Sequence, residues 1–195
     1  MPELLPPVVD ADRFTATPQP TLPGIDGLIL RPWTAADAPV VYRAFQDPAI
    51  SRWHVRSAES VGQVREWIER WRGTWSTGNG QWAVTVDGEV AGRIGLRRTD
   101  LGEGHTELAY WTLPARRGQA VAPRAARVLT RWAFHDIGFD RIQLTHSVHN
   151  APSCRVAAKC GFVLEGTLRG AGRHRDGCHD MHLHARLRTD RPGGR

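Results

Sequence analysis

Apolar and polar positions alternate in two rhythms along this chain, and each change of rhythm marks an element. Leu28, Ile29 and Leu30 form a short apolar run stopped by Pro32, which predicts a strand. Thr34, with Asp37 three residues on, reads as a helix cap, and the helix runs to about Gln46 before Asp47-Pro48. Beyond Ser57, the residues Val61, Val64, Trp67, Ile68, Trp71 and Trp75 recur at one-turn spacing, predicting a second helix with a core-facing stripe. Gly78-Asn79-Gly80 ends that region. Strands over 81–86 and 89–96 flank Asp87-Gly88, a strong two-residue hairpin signal. Another strand spans 105–113, and Pro123 then opens a helix to about Ile137, proline being well placed in a first turn. A strand over 141–148, a helix over 152–159 and strands over 162–168 and 179–187 complete the pattern.

The order β-α-α-β-β-β-α-β-α-β-β predicts an α/β fold, a mixed sheet flanked by helices. Six prolines and few apolar residues before residue 25 predict a flexible tail over 1–25, a single domain over 26–188 and a short disordered end over 189–195. A chain of 195 residues with 41% apolar content suits one core. No apolar run approaches the ~20 residues that span a bilayer, so no membrane association is expected. The N-terminus shows no basic region followed by an apolar stretch, and three cysteines (Cys154, Cys160, Cys178) have no paired spacing; both point to a cytoplasmic protein with free thiols.

The net charge of +6 raises the question of nucleic acid. The basic residues are nearly all arginine, with Lys159 the one lysine, and they are scattered along the chain without a recognition motif. The sequence therefore argues against a nucleic-acid partner, while a diffuse positive field still attracts a polyphosphate. The segment over 114–123 joins a strand to a helix, where unpaired backbone N–H groups and a partial positive charge suit a pyrophosphate. Gly118, Ala120 and Ala122 keep the approach open, and Arg116 and Arg117 offer guanidinium partners. Alone, an arginine-rich loop before a helix reads equally as an ordinary exposed connection.

A longer pattern follows. Asn150, Ser153, Arg155 and Val156, then Lys159, Gly161 and Phe162, then Glu165-Gly166, fall in the register N-x-x-S-x-R-V, K-x-G-F, E-G. Glu107-Leu108-Ala109-Tyr110-Trp111 stands directly before an R-G-x-x-x-A turn over 117–122, and Leu30-Arg31-Pro32-Trp33 with Asp37-Ala38 opens the domain. Together these segments resemble the GNAT superfamily of N-acetyltransferases, in particular the RimJ/RimL-like subgroup of ribosomal-protein alanine N-terminal acetyltransferases. The resemblance covers about 28–187. It implies the acyl-CoA N-acyltransferase fold, a mostly antiparallel sheet whose fourth and fifth strands, here 105–113 and 141–148, splay apart.

The resemblance also implies acetyl-CoA as co-substrate, no metal, and direct attack by a primary amine. The acceptor is a protein N-terminal α-amine, or alternatively a small-molecule amine; a non-catalytic acyl-CoA sensor is the remaining alternative, and the chain is a monomer or homodimer. Cofactor contacts are expected at Trp111, Thr112 and Leu113 for the pantetheine arm, at Arg116, Arg117, Gly118, Gln119, Ala120, Val121 and Ala122 for the diphosphate, and at Asn150, Ser153 and Arg155. Glu107 is the first candidate base, acting through water, with a plain salt bridge as its other reading; Glu165 is the second candidate. Many family members carry a tyrosine acid seven residues beyond the asparagine, but Ala157 stands there, so Ser153 becomes the donor to the thiolate, or else a helix-capping residue. Trp53 and His54, in the loop between the first two helices, are expected to contact the acceptor. Two departures from the family turn stand out: Ala120 replaces its central glycine, which argues against a positive φ there, and Pro123 removes one N–H. His174, Cys178, His179, His182 and His184 match no standard metal spacing; solvated strand positions or a wall of the substrate cleft explain them.

Overall fold

The computed structural model describes residues 5–54 and 57–190; the outer part of the expected C-terminal tail, 191–195, lies outside the described residues. The strands are β1 Leu22–Pro23, β2 Leu28–Pro32, β3 Gln81–Val86, β4 Glu89–Asp100, β5 His105–Thr112, β6 Arg141–Ser147, β7 Val163–His174 and β8 Gly177–Leu187. They form one open sheet in the order β1-β2-β3-β4-β5-β6-β8-β7. The pair β5–β6 is parallel, and the other neighbours are antiparallel. The helices are α1 Asp12–Thr15, α2 Ala38–Gln46, α3 Pro48–Ser51, α4 Val61–Gly73, α5 Val121–Trp132 and α6 Ala151–Lys159.

Side chains two apart on a strand share a face, and that period divides the core in two. Leu108, Ile142 and Leu144 pack with Leu129 of α5 and Ala157 of α6. Trp111, on the opposite face of β5 from Leu108, packs with Trp33, with Phe45 of α2 and with Trp67 of α4. Local signals act as the sequence predicts. Thr34 N and Oγ both donate to Asp37 at 2.9 Å, and the Arg31 guanidinium closes on the same carboxylate at 2.8 Å. Asp87 and Gly88 take φ of 52° and 83°, as a primed hairpin turn requires. After α5 the chain widens into one π turn, Ala133–Ile137, ended by Gly138 at φ 101°.

The proline-rich segment departs from expectation. Instead of a flexible tail, residues from 8 onward form a strap over one end of the core. Val9 and Phe14 are each 1% exposed, and the Phe14 ring meets Trp75 edge-on at 4.9 Å. The indole N–H groups of Trp75 and Trp82 donate to the carbonyls of Thr17 and Pro20 at 2.7 and 2.8 Å. A few large anchors together with prolines, whose ordering entropy is low, hold a segment whose mean composition is weakly apolar. Leu22–Pro23 then pairs with β2 as an additional edge strand.

The feature that positions the site is a gap. β5 and β6 pair only at His105↔Arg141, Thr106↔Ile142 and Glu107↔Gln143. Beyond them β6 stays with β8 up to Ser147, and β5 stays with β4 up to Thr112, so the two strands diverge.

Candidate active site

A cavity of about 570 Å³ occupies the gap and runs from the α5 N-terminus to the loop after α3. At one end lies the turn before α5. Pro114–Arg116 form a short 3-10 turn, Gly118 takes φ 79°, and Ala120 caps α5 at φ 54° and ψ 22°. The expectation that alanine removes the positive φ is therefore wrong: the left-handed geometry is retained despite the Cβ, at a cost of about 1–2 kcal/mol. What the geometry gains is a row of free donors. Among the described residues, the backbone N–H groups of Gly118, Gln119, Ala120, Val121 and Ala122 donate to no backbone carbonyl. Pro123 follows them inside the first turn.

Most expected cofactor contacts line this cavity: Trp111, Thr112, Arg116, Arg117, Gly118, Ala120, Val121, Ala122, Asn150, Ser153 and Arg155. Two do not. Leu113 turns into the core beside Trp111, and Gln119 folds back to donate to the Ala115 carbonyl at 3.0 Å. Arg117 also holds Asp47 at 2.8 Å, tying the turn before α5 to the cap of α3. Lys159 is an additional cation on the wall.

Midway along the cavity, Asn150 caps α6 through its side-chain oxygen, which accepts from Ser153 N at 3.3 Å. That leaves the Ser153 hydroxyl free, and Tyr110 Oη donates to it at 3.1 Å. Tyr110 lies on the opposite wall, on β5, and its burial pushes its pKa up to about 12, so the phenol keeps its proton. Sequence distance, 43 residues, hid this pair. The strand period was its one available signal, since it puts Tyr110 on the face of β5 opposite Trp111, toward α6.

The two glutamates lie elsewhere. Glu107 is 3% exposed, and both its oxygens are engaged: Arg97 at 2.8 Å, Arg98 at 2.9 Å, and the Thr145 hydroxyl. It clamps β4, β5 and β6 together where the last β5–β6 pair ends, and it is not among the cavity-lining residues. Glu165 forms a two-point pair with Arg141, at the end of β6 remote from Ser147, and that guanidinium holds its carboxyl below the usual range. No carboxylate lines the cavity among the described residues.

The other end of the cavity carries Trp53 and His54. Burial first, then the charges of Arg93 and Arg97, push His54 down to about 4, so it is a neutral imidazole at physiological pH. His174 and His179, which the sequence offered as a cleft wall, stand edge-on to Trp53 at 5.6 and 6.3 Å. His179 contacts the Ser147 hydroxyl at 2.9 Å through Nδ1 and Asp176 at 3.0 Å through Nε2. This Ser147–His179–Asp176 chain was not foreseen, because it depends on the hairpin of β7 and β8 folding back toward the end of β6.

Comparison with known proteins follows the same outline. The acetyltransferase (GNAT) domain family matches residues 27–163. YdaF of Bacillus subtilis (strain 168), whose name places it among ribosomal N-acetyltransferases, is 28% identical over 128 residues, covering 65% of this chain and 69% of that protein. The ribosomal-protein-serine acetyltransferase of Escherichia coli (strain K12) is 29% identical over 104 residues, 53% of this chain and 58% of that protein. Among solved structures, the ribosomal L7/L12 alpha-N-protein acetyltransferase RimL in complex with coenzyme A superposes with a TM-score of 0.80 at 18% identity, over 86% of this chain and 98% of that one. No helix among the described residues is long and apolar enough to cross a membrane.

Proposed function

The chain belongs to the GNAT acetyltransferase family and is an acetyl-CoA-dependent N-acetyltransferase, and from that premise we propose that its acceptor is a protein N-terminal α-amine. Two named relatives support a protein acceptor: a ribosomal-protein-serine acetyltransferase and, by fold, RimL. The observation that carries the reading is chemical: among the described residues no carboxylate lines the cavity, and its His54 is too weak a base to matter. An amine attacks only when neutral. An α-amine, with a pKa of ~7.7–8.0, is substantially neutral near pH 7.5, whereas a lysine at ~10.4 needs a strong base in place.

The chain's own groups fit acetyl-CoA. The free N–H groups from Gly118 to Ala122 and Arg116 hold the diphosphate, and the open edge of β5 from Leu108 to Thr112 takes the pantetheine amides as an added strand would. Acetyl-CoA supplies the activated thioester; the protein supplies alignment. Nitrogen bonds to the acetyl carbon, the carbon–sulfur bond breaks, and the departing thiolate takes the hydroxyl proton of Ser153. Tyr110, donating to that oxygen and keeping its own proton, makes Ser153 the better donor, and solvent restores the Ser153 proton. The amine's surplus proton leaves to solvent past the His174–His179 wall. Glu107 is assigned a positioning role, fixing the point where β5 and β6 part.

The test is thiol release from acetyl-CoA with three acceptor sets: peptides with free N-terminal serine or alanine, the same peptides N-blocked but bearing an internal lysine, and small polyamines or amino sugars. Turnover confined to the free N-terminal peptides is expected. Turnover of small amines alone overturns the acceptor, and binding of acetyl-CoA without turnover of any amine overturns transfer. Ser153→Ala and Tyr110→Phe should each lower kcat by ~10-fold or more with little change in KM for acetyl-CoA. Unchanged kcat in both returns Ser153 to a purely capping role.

A further inference from the structure

On the α6 face of the sheet, three imidazoles and a thiol converge. The β6–β8 register sets His146 opposite His182, and His184 follows two residues along, so all three rings leave one face. Cys154, in the first turn of α6, completes the group; one donor atom from each of the four residues lies within 4.8 Å of the others. The sequence could not show this, because His182 and His184 alone are two strand residues that make no site.

Packing does not account for the arrangement. The backbone carbonyl of Ser147 can only accept, so its 2.8 Å contact with His146 Nδ1 fixes the hydrogen there. His146 Nε2 then presents its lone pair to His184 Nε2, 3.1 Å away, with the two rings stacked at 5.1 Å. His146 and His184 are 5% and 2% exposed. The Nδ1 atom of His182 is buried and makes no hydrogen bond. Beyond the one His146–His184 contact, buried ring nitrogens crowded together with unmet bonding capacity are unfavourable, and a cation shared among them would meet it.

We propose that His146, Cys154, His182 and His184 form a four-ligand site for a divalent cation that favours imidazole and thiolate, Zn²⁺ foremost. Zinc sits ~2.0–2.1 Å from nitrogen and ~2.3 Å from sulfur, so tetrahedral donors stand about 3.3–3.6 Å apart. The separations here, from 3.1 Å for the His146–His184 pair to at most 4.8 Å, bracket that range. Four protein ligands leave no open position, which makes the site structural and not catalytic. The Ser147 carbonyl on His146 Nδ1 is the outer partner that orients a metal-binding imidazole. Its consequence follows from the neighbour of Cys154: the ion ties the first turn of α6, and with it Ser153, to β6 and β8.

The experiment uses the full chain, stripped with a chelator and shown to be folded by circular dichroism. Zn²⁺ is titrated against a chromophoric chelator, and Co²⁺ is followed by absorption. One tight equivalent of Zn²⁺ and a thiolate-to-cobalt charge-transfer band are expected. Cys154→Ser should abolish that band, and both it and His182→Gln should weaken Zn²⁺ binding at least ~10-fold. His179→Ala, in the separate histidine group beside Trp53, should leave both signals intact. Equal Zn²⁺ affinity in wild type and Cys154→Ser, or a cobalt spectrum without a thiolate band, overturns the site. Loss of binding in His179→Ala with retention in Cys154→Ser also overturns it, and moves the metal to the acceptor cleft.

Discussion

Replacing Ala120 by glycine should make the protein more stable. Ala120 stands at φ 54° and ψ 22° as the residue before α5. A residue with a Cβ in that region carries about 1–2 kcal/mol of unfavourable backbone energy, which glycine escapes. Against this, glycine widens the unfolded ensemble by about 0.4–1 kcal/mol. The Ala120 side chain is exposed, so losing its methyl group costs little packing. The balance is a gain of about 0.5–1 kcal/mol, equivalent to a Tm rise of roughly 1–4 °C for a chain of this length. Urea unfolding should show a higher midpoint with an unchanged slope. Coenzyme A affinity should stay within about twofold, because glycine can hold the same amides in the same row. Ala120→Val should fall on the other side, since a β-branched residue is a genuine outlier at positive φ. A loss of about 0.5 kcal/mol or more in Ala120→Gly would refute the left-handed assignment.

Other outcomes are equally concrete. Phe14→Ala should cost about 3–5 kcal/mol in urea unfolding, because its ring is buried against Trp75 and Phe139; a change near zero would restore the segment to a loose tail. Glu107→Gln should lower stability by roughly 1–2 kcal/mol, less than for a fully buried pair because Arg97 and Arg98 are partly exposed, while kcat falls only modestly. A collapse of kcat with unchanged stability would make Glu107 the base after all. His54 has a folded pKa of about 4 against 6.5, so the unfolded chain binds more protons between those values, and stability present above pH 6.5 is lost as pH falls toward 4. The loss from this group is about 2 kcal/mol by pH 5. His54→Gln should flatten that part of the pH profile, leaving the smaller same-direction slope of His174; an unchanged profile would place His54 in solvent.

What the sequence reveals of this protein divides by distance along the chain. The cap at Thr34–Asp37, the hairpin at Asp87-Gly88 and the helix opened near Pro123 are decided by residues within one turn of each other, and each is legible. Local chemistry can also mislead. Alanine at 120 argues against a left-handed residue, yet the turn needs that geometry to aim its amides, and the rest of the domain sustains the strain. The proline-rich segment misleads through its average: its mean polarity hides Val9 and Phe14, which are few but fully buried.

The chemistry of the cleft depends instead on register, which no local pattern fixes. Glu107 looks catalytic as a carboxylate on the strand beside the thioester. The β4–β5 pairing sets it opposite Arg97, and the parallel step to β6 brings Thr145 to its carboxylate, so its oxygens are used before any substrate arrives. The same strand, one face over, delivers Tyr110 to Ser153, a contact that matching positions one by one at Ala157 does not reveal. Because the splay of β5 from β6 opens the channel and also decides which strand residues meet across it, the proposed cofactor binding and proton delivery both depend on one pairing, the three residues at which these strands still touch.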